Sequence, residues 1–266
     1  MQRLAGWKAN CLSKAGRSVL IQSHLEALPA HTMQCFHLPL STSNKIDRLN
    51  REFFWKKSNT EKGLPMVAWD TICRPKQRGG LGLRKTVAVN NAYQCKLAWK
   101  LLCNQDNFWA KLMRTKYLRG KDFFTASAKP GDSVVWRSII KCKNLIRQGI
   151  TWTLGHGHDI SFWEDNWPQW APLSQLLHLT ENDNIDRNLR VSAFIENKKW
   201  NFAKLRTYIH DPDILNRIRG IPIPLSDISD SYFWGGSGSG SFTTQSATWL
   251  AHDIDPKGPL WPFHWI

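Results

Sequence analysis

The chain of 266 residues has no apolar run approaching the roughly 18 residues of a membrane-crossing helix, which argues against a spanning segment. It has no Cys beyond Cys142, no CxxC pair and no secretory h-region. Cys11, Cys35, Cys73, Cys95, Cys103 and Cys142 therefore read as reduced, mostly buried thiols of an intracellular protein. Acid is missing before Glu26, and an opening with Lys and Arg alone resembles an organelle transit peptide. Val19, Leu20, Ile21, Leu25 and Leu28 fit the apolar face of an ordinary helix better. Neither G-x-S-x-G nor G-x-x-x-x-G-K-[ST] occurs, so the signatures of a serine hydrolase and of a nucleoside-triphosphate loop are both lacking.

What the chain does have is charge of one sign at one end. Residues 1–150 hold 27 Lys and Arg against 8 Asp and Glu, a net of +19, while the remainder nets −4, giving +15 overall. A basic half joined to a mildly acidic half is the pattern of a protein that holds a polyanion; a solvated basic surface is the alternative. The length allows one or two domains, and 15 Trp argue against wholesale disorder.

Helical spacing dominates the basic half. Ser13 can cap a helix running toward Leu28, Pro29 suits the first turn of a second that ends near Pro39, and Ser41 to Ser43 are cap candidates for a third carrying Ile46, Leu49, Phe53 and Phe54 on one face. "KKSNTEKG" reads as a surface loop and "VAWDTIC" as a short helix. "VAVNNAYQCKLAWKLL", "NFWAKLMRTKYL" and "DSVVWRSIIKCKNLIRQGI" add further helices, the last capped by Asp132 or Ser133. The last two carry cations opposite their apolar residues. Beyond Gly149 the texture changes: "TWTLGHGHDISFWEDNW" reads as a hairpin around Gly-His-Gly, and "SYFWGGSGSGSFTTQSATWL" as a second hairpin leading into a helix. The expected fold class is α+β, a mainly helical basic half followed by a loop-rich half with short hairpins.

Several candidate sites compete. "CRPKQRGGLGLRK" surrounds Gly79, Gly80 and Gly82 with Arg74, Lys76, Arg78, Arg84 and Lys85. Its G-G-x-G spacing fits neither a P-loop nor a dinucleotide fingerprint, which leaves a turn that reaches positive φ and can bring N–H groups and cations to a phosphate backbone. His156, His158 and Asp159 could be read as metal ligands, but nothing nearby supplies a Cys, and a polar turn is the better reading. Glu164 and Asp165 are the only adjacent acids and lack a second matched pair for metal-assisted hydrolysis. Trp55, Trp69, Trp99, Trp109 and Trp136 occupy helical apolar positions, so core packing is the default and stacking on unpaired bases the alternative.

Taken in order, "WKANCLSKAGRSVLIQSHLEALPAHTMQCFHLP", "LNREFFWKK", "VAWDTICRPKQRGGLGLRK", "NNAYQCKLAWKLL", "WTLGHGHDISFWEDNW" and "SGSFTTQSATW" resemble the region after the polymerase core in plant non-LTR (LINE-type) retrotransposon reverse transcriptases, whose relatives are often labelled ribonuclease H or reverse-transcriptase zinc-binding proteins. The resemblance implies a thumb-like segment at 1–60, a basic helical linker domain at 61–150, a hairpin and loop-rich segment at 151–230, and at 231–266 the start of a zinc-binding domain cut off before its Cys and His ligands. It also implies a nuclear setting, RNA or DNA backbone as ligand, and a missing polymerase core as partner. Lys8, Lys14 and Arg17 would lie on the thumb-like helix, with Arg74, Lys76, Arg78, Arg84 and Lys85 on phosphates. No two Asp are adjacent, so the palm carboxylates that hold two metal ions would lie outside this chain. The expectation is a non-catalytic, nucleic-acid-binding fragment without cofactor, metal or membrane contact. A partner-packing module, a decayed element copy and a fragment keeping polymerase or ribonuclease activity are its rivals.

Overall fold

The computed structural model describes residues 12–56, 63–103, 107–180 and 182–253. About 48% of the chain is helical, with a few short antiparallel strand pairs, which is the expected α+β class. The described residues fall into two units, one formed by 12–143 with 243–253 and the other by 144–242.

In the first unit Ser13 caps α1 (Lys14–Leu20) by accepting from Gly16 N, and the helix widens into a π turn over Ile21–Leu25. α2 (Ala30–Met33) follows Pro29 but stops well short of Pro39. The reason lies on α5 (Thr86–Cys103), where Asn90 Nδ2 donates to the carbonyls of Met33 and Phe36 and its Oδ1 accepts from Leu38 N. That segment thus bonds sideways to a neighbouring helix and not along its own axis. α3 (Leu40–Trp55) starts directly after Pro39, so the serines expected as caps lie inside it and Ser43 is buried. Phe53 and Phe54 of α3 pack with Ile21, Leu25, Trp69, Ile72, Cys73 and Leu83; Trp69 and Ile72 bound α4 (Trp69–Ile72).

α5 is the hub of this unit. Ala88, Val89, Ala92, Cys95, Ala98 and Leu101 are buried on it, and the small side chains of Ala88, Ala92, Cys95 and Ala98 admit the helices packed against it, α2, α3, α6 (Phe108–Met113), α7 (Val134–Lys141) and α12 (Thr244–Asp253). Its N-terminus is capped from outside the helix: Asp47 Oδ1 on α3 accepts from both the N–H and the hydroxyl of Thr86, at 3.0 and 2.6 Å. Ser133 caps α7 by accepting from Trp136 N, as its position suggested. α6 carries an Asn107 cap and continues as a π turn over Arg114–Leu118. α8 (Lys143–Gly149) follows α7 and leads into the second unit.

That unit differs from the two expected hairpins. β1 (Ile150–Thr153) pairs antiparallel with β4 (Ser231–Trp234), Ile150 facing Trp234, across some eighty residues of chain. The Gly-His-Gly turn does not fold back as a strand because its amides are taken by a side chain: Asp230 accepts from Gly155 N, Gly157 N and Asp159 N at 2.8, 2.8 and 3.0 Å. Beyond β4 the Gly-Ser segment closes by Trp234 N to Gly240 O and Ser237 Oγ to Ser241 O without a return strand, then enters α12 as expected. The remaining elements are α9 (Leu173–Leu176), the small pair β2 (Ile195–Glu196) and β3 (Lys199–Trp200), α10 (Phe202–Leu205) and α11 (Pro212–Arg219).

The core of the second unit is aromatic. Phe162 stacks on Phe194 at 4.0 Å and on Trp167 at 5.8 Å, and Trp167 stacks on Trp200 at 5.5 Å. The indole N–H groups of Trp163, Trp167 and Trp200 donate to the carbonyls of Asp186, Phe162 and Ile221, which satisfies each ring's polar edge. Asp165 is buried, accepts from Ser161 N and pairs with Arg147 at 3.3 Å, so this acid serves the turn it shares with Glu164.

Candidate nucleic-acid interface

The cations singled out by sequence separate into two sets. Lys8 lies outside the described residues. Lys14 donates to Phe54 O and sits over the rings of Phe54 and Trp55, and Arg17, only 5% exposed, donates to Phe54 O and Lys56 O. Both therefore cap the carboxyl end of α3, where cations are favoured. Arg84 pairs with Glu26 at 2.6 Å, and Lys85 pairs with Asp70 at 3.0 Å. Burial pushes the Glu26 carboxyl above its usual range, and Arg84 pulls it back only in part.

Arg74 and Lys76 are different: both side chains are exposed, beside a half-buried Arg78. The turn that presents them is tight. Gly79 and Gly82 have φ of 77° and 72°, and a Cβ at Gly80 would stand 2.0 Å from Arg74 O. Leu81 N donates to Ile72 O and Gly82 N to Arg74 O, so the loop is pinned to the helix before it. The glycines permit a sharp reversal that leaves Arg74 and Lys76 outward; the amide groups are used internally and do not form a phosphate nest.

A second exposed set follows α5. Lys116, Arg119, Lys121, Lys129, Arg137 and Lys141 all have exposed side chains, on the π turn after α6, the segment that follows it and the outer face of α7. Helical spacing puts cations opposite the apolar residues of these helices without singling out any one of them. The i, i+4 placement of Arg137 and Lys141, opposite buried Trp136 and Ile139, is the signal that marks them. Of the five Trp weighed for stacking, Trp69 and Trp136 are buried, while Trp55, Trp99 and Trp109 are half-buried.

Two other constellations look chemical. His156, Asp159 and Asp230 bring their ligand atoms within 4.8 Å of one another, the one such group among the described residues. Both oxygens of Asp230 already accept from loop amides, and Oδ2 also lies 3.2 Å from His156 Nδ1, so its lone pairs serve the turn. Cys142 Sγ lies 3.8 Å from His37 Nε2, which is 2.9 Å from Asn91 Oδ1. Hydrogen bonding from Cys95 and then from His37 lowers the Cys142 thiol to about 6, while burial and Cys142 push Cys95 up. Cys142 is 2% exposed, so this Cys-His-Asn contact packs α5 against the end of α7 with no room for a substrate at sulfur.

Fold and surface together define a helical basic module joined to an aromatic-cored one. Compared with known proteins, the chain is 32% identical over 249 residues to the Arabidopsis thaliana protein named "Putative ribonuclease H protein At1g65750", matching 92% of this chain and 40% of that protein. It is 30% identical over 142 residues to the uncharacterized mitochondrial protein AtMg00310 of the same plant, matching 53% of this chain and 92% of that one. The chain belongs to the family of this mitochondrial protein. No family model and no solved structure matches it.

Proposed function

We propose that the chain is a non-catalytic, nucleic-acid-binding part of a LINE-type reverse transcriptase, with the basic unit holding RNA or DNA backbone. The observation that carries this reading is the charge asymmetry, +19 in residues 1–150, expressed at the surface as exposed Arg74, Lys76, Lys116, Arg119, Lys121, Arg137 and Lys141. Such cations neutralise phosphates and release counterions; they position a strand and carry little sequence information. The name of the ribonuclease H relative and the sequence resemblance supply the retroelement context, and the chain spans 40% of that relative. The non-catalytic part of the reading is supported by the carboxylates: Asp230 and Asp165 accept from the amides of their own turns, and Glu26 and Asp47 accept from Arg84 and Thr86.

The test is a salt titration of binding to labelled duplex DNA and single-stranded RNA. Affinity should fall steeply with salt, and the double variant Arg74→Ala with Lys76→Ala should flatten the slope by about 0.9 for each phosphate it no longer neutralises on duplex DNA. Affinity indifferent to salt would sink the reading and favour a module that packs on another protein. Metal-dependent primer extension or ribonuclease activity, abolished by mutation of an acid in this chain, would overturn the non-catalytic assignment.

A further inference from the structure

The π turn after α6 presents an aromatic ring in an unusual setting. Tyr117 lies parallel to Trp136 of α7, with centroids 4.7 Å apart and an interplanar angle of 6°. Trp136 is 1% exposed, and the Tyr117 hydroxyl donates to Ser133 Oγ at 2.9 Å, the same oxygen that caps α7. One ring face is thus fixed on the core and the hydroxyl is tethered. Lys116 Nζ stands 5.2 Å from the ring centroid, and with Trp136 against one face the ammonium must occupy the other.

The backbone that follows turns sharply outward. Arg119 adopts φ 49° and Gly120 φ 84°, a left-handed pair that an Arg enters at a cost, and a Cβ at Gly120 would meet nothing within 4 Å. Lys116, Arg119 and Lys121 are exposed and lie within four residues of Tyr117 in the chain, with Arg119 Nε donating to Lys116 O at 3.4 Å. The acids nearest in sequence are committed to their own turns: Asp122 Oδ2 accepts from Phe124 N and Thr125 N, and Asp132 Oδ2 from Lys129 N.

We propose that Tyr117, with Lys116 over its ring and exposed Arg119 and Lys121 close by in the chain, is a stacking site for an unpaired nucleobase of single-stranded RNA or DNA. The inference rests on the nucleic-acid reading above and adds to it a preference for single strands at one named ring. A flat base takes the place of the Lys116 ammonium on the open face, and that flexible cation moves to an adjoining phosphate. Because Trp136 and Ser133 hold the ring before any ligand arrives, little ordering is left to oppose binding. A duplex, whose bases are already stacked, gains nothing from the ring and meets only the cations.

The experiment compares the full chain with Tyr117→Leu and Tyr117→Phe on labelled oligouridine, oligothymidine and a blunt duplex of equal length. Tyr117→Leu should weaken both single strands about tenfold while leaving the duplex and the salt slope unchanged. Tyr117→Phe should bind as the parent does, and the two single-strand arms show whether RNA or DNA is preferred. Should Tyr117→Leu fail to fold, photocross-linking of the unaltered chain to 4-thiouridine RNA replaces it, with the adduct expected on the peptide containing Tyr117. Equal weakening on duplex and single strands, unchanged single-strand affinity in a folded Tyr117→Leu, or adducts confined to other peptides would overturn the site. Salt-dependent binding without a Tyr117 effect removes this inference alone; absence of any salt-dependent binding removes the broader reading with it.

Discussion

Removing the Asp230 carboxylate should open the Gly-His-Gly loop, and the cost can be worked out bond by bond. The side chain is wholly buried and accepts three backbone amides, of which Gly155 N and Gly157 N are part-buried and Asp159 N is exposed. An exposed amide finds water, so Asp230→Ala forfeits essentially two charge-assisted bonds. At roughly 1.5–2 kcal/mol each this amounts to about 3–4 kcal/mol, a large share of the roughly 5–15 kcal/mol that holds a typical domain folded. Asp230→Asn keeps one carbonyl oxygen for Gly155 and Gly157 and should cost only about 1 kcal/mol. Urea denaturation gives the totals, and hydrogen exchange at the amides of residues 155 and 157 localises them. A destabilisation below about 1 kcal/mol for the Ala variant would refute the loop-anchor account. Equal damage from Asn and Ala would show that the loop needs negative charge and not an acceptor, as it would if it held a cation beside His156 and Asp159.

Three further outcomes follow from individual side chains. Burial holds the Asp47 carboxyl above its ordinary range despite the bonds from Thr86, so the ionised form burdens the fold and stability falls as pH rises from the unfolded to the folded value. Asp47→Asn keeps an acceptor for Thr86 and should be more stable than the parent near about pH 7, with the gain vanishing in acid; urea midpoints at both pH values check it. Arg17→Ala should cost roughly 2–3 kcal/mol by freeing the carbonyls of Phe54 and Lys56, yet leave the salt slope of binding unchanged, because Arg17 is buried. Gly80→Ala places a Cβ 2.0 Å from Arg74 O and should destabilise the basic turn by roughly 1–3 kcal/mol, seen in thermal melts; an unshifted midpoint would mean the turn relaxes freely.

Local signals in the sequence carried well where the bonds they imply are local. Ser13 and Ser133 cap the helices that follow them, and the positive φ of Gly79 and Gly82 matches a glycine turn. They failed where a distant side chain intercepts the backbone. Asn90 truncates α2 from 52 to 57 residues away, and Asp230 takes the amides that a hairpin strand would have used. The basic half was legible as a sum of charge, but composition cannot say that Arg17 and Arg84 face inward to a helix end and a buried Glu. Tyr117 was invisible for the same reason, since its value depends on Trp136, nineteen residues later, lying flat beneath it.

The first unit is completed by a piece of chain made only after the whole of the second. α12 follows the whole of the second unit, yet it packs along α5 and buries Ala247, Thr248 and Leu250 in doing so. During synthesis the apolar side of α5 that α12 covers must therefore wait, uncovered, through the 140 residues between Cys103 and Thr244, a window of roughly 7–28 s at usual elongation rates. A nascent chain in that state presents a sticky, basic, half-closed helical layer, which is when a chaperone, a folded neighbour or the nucleic acid itself would have most influence on whether the protein is ever finished.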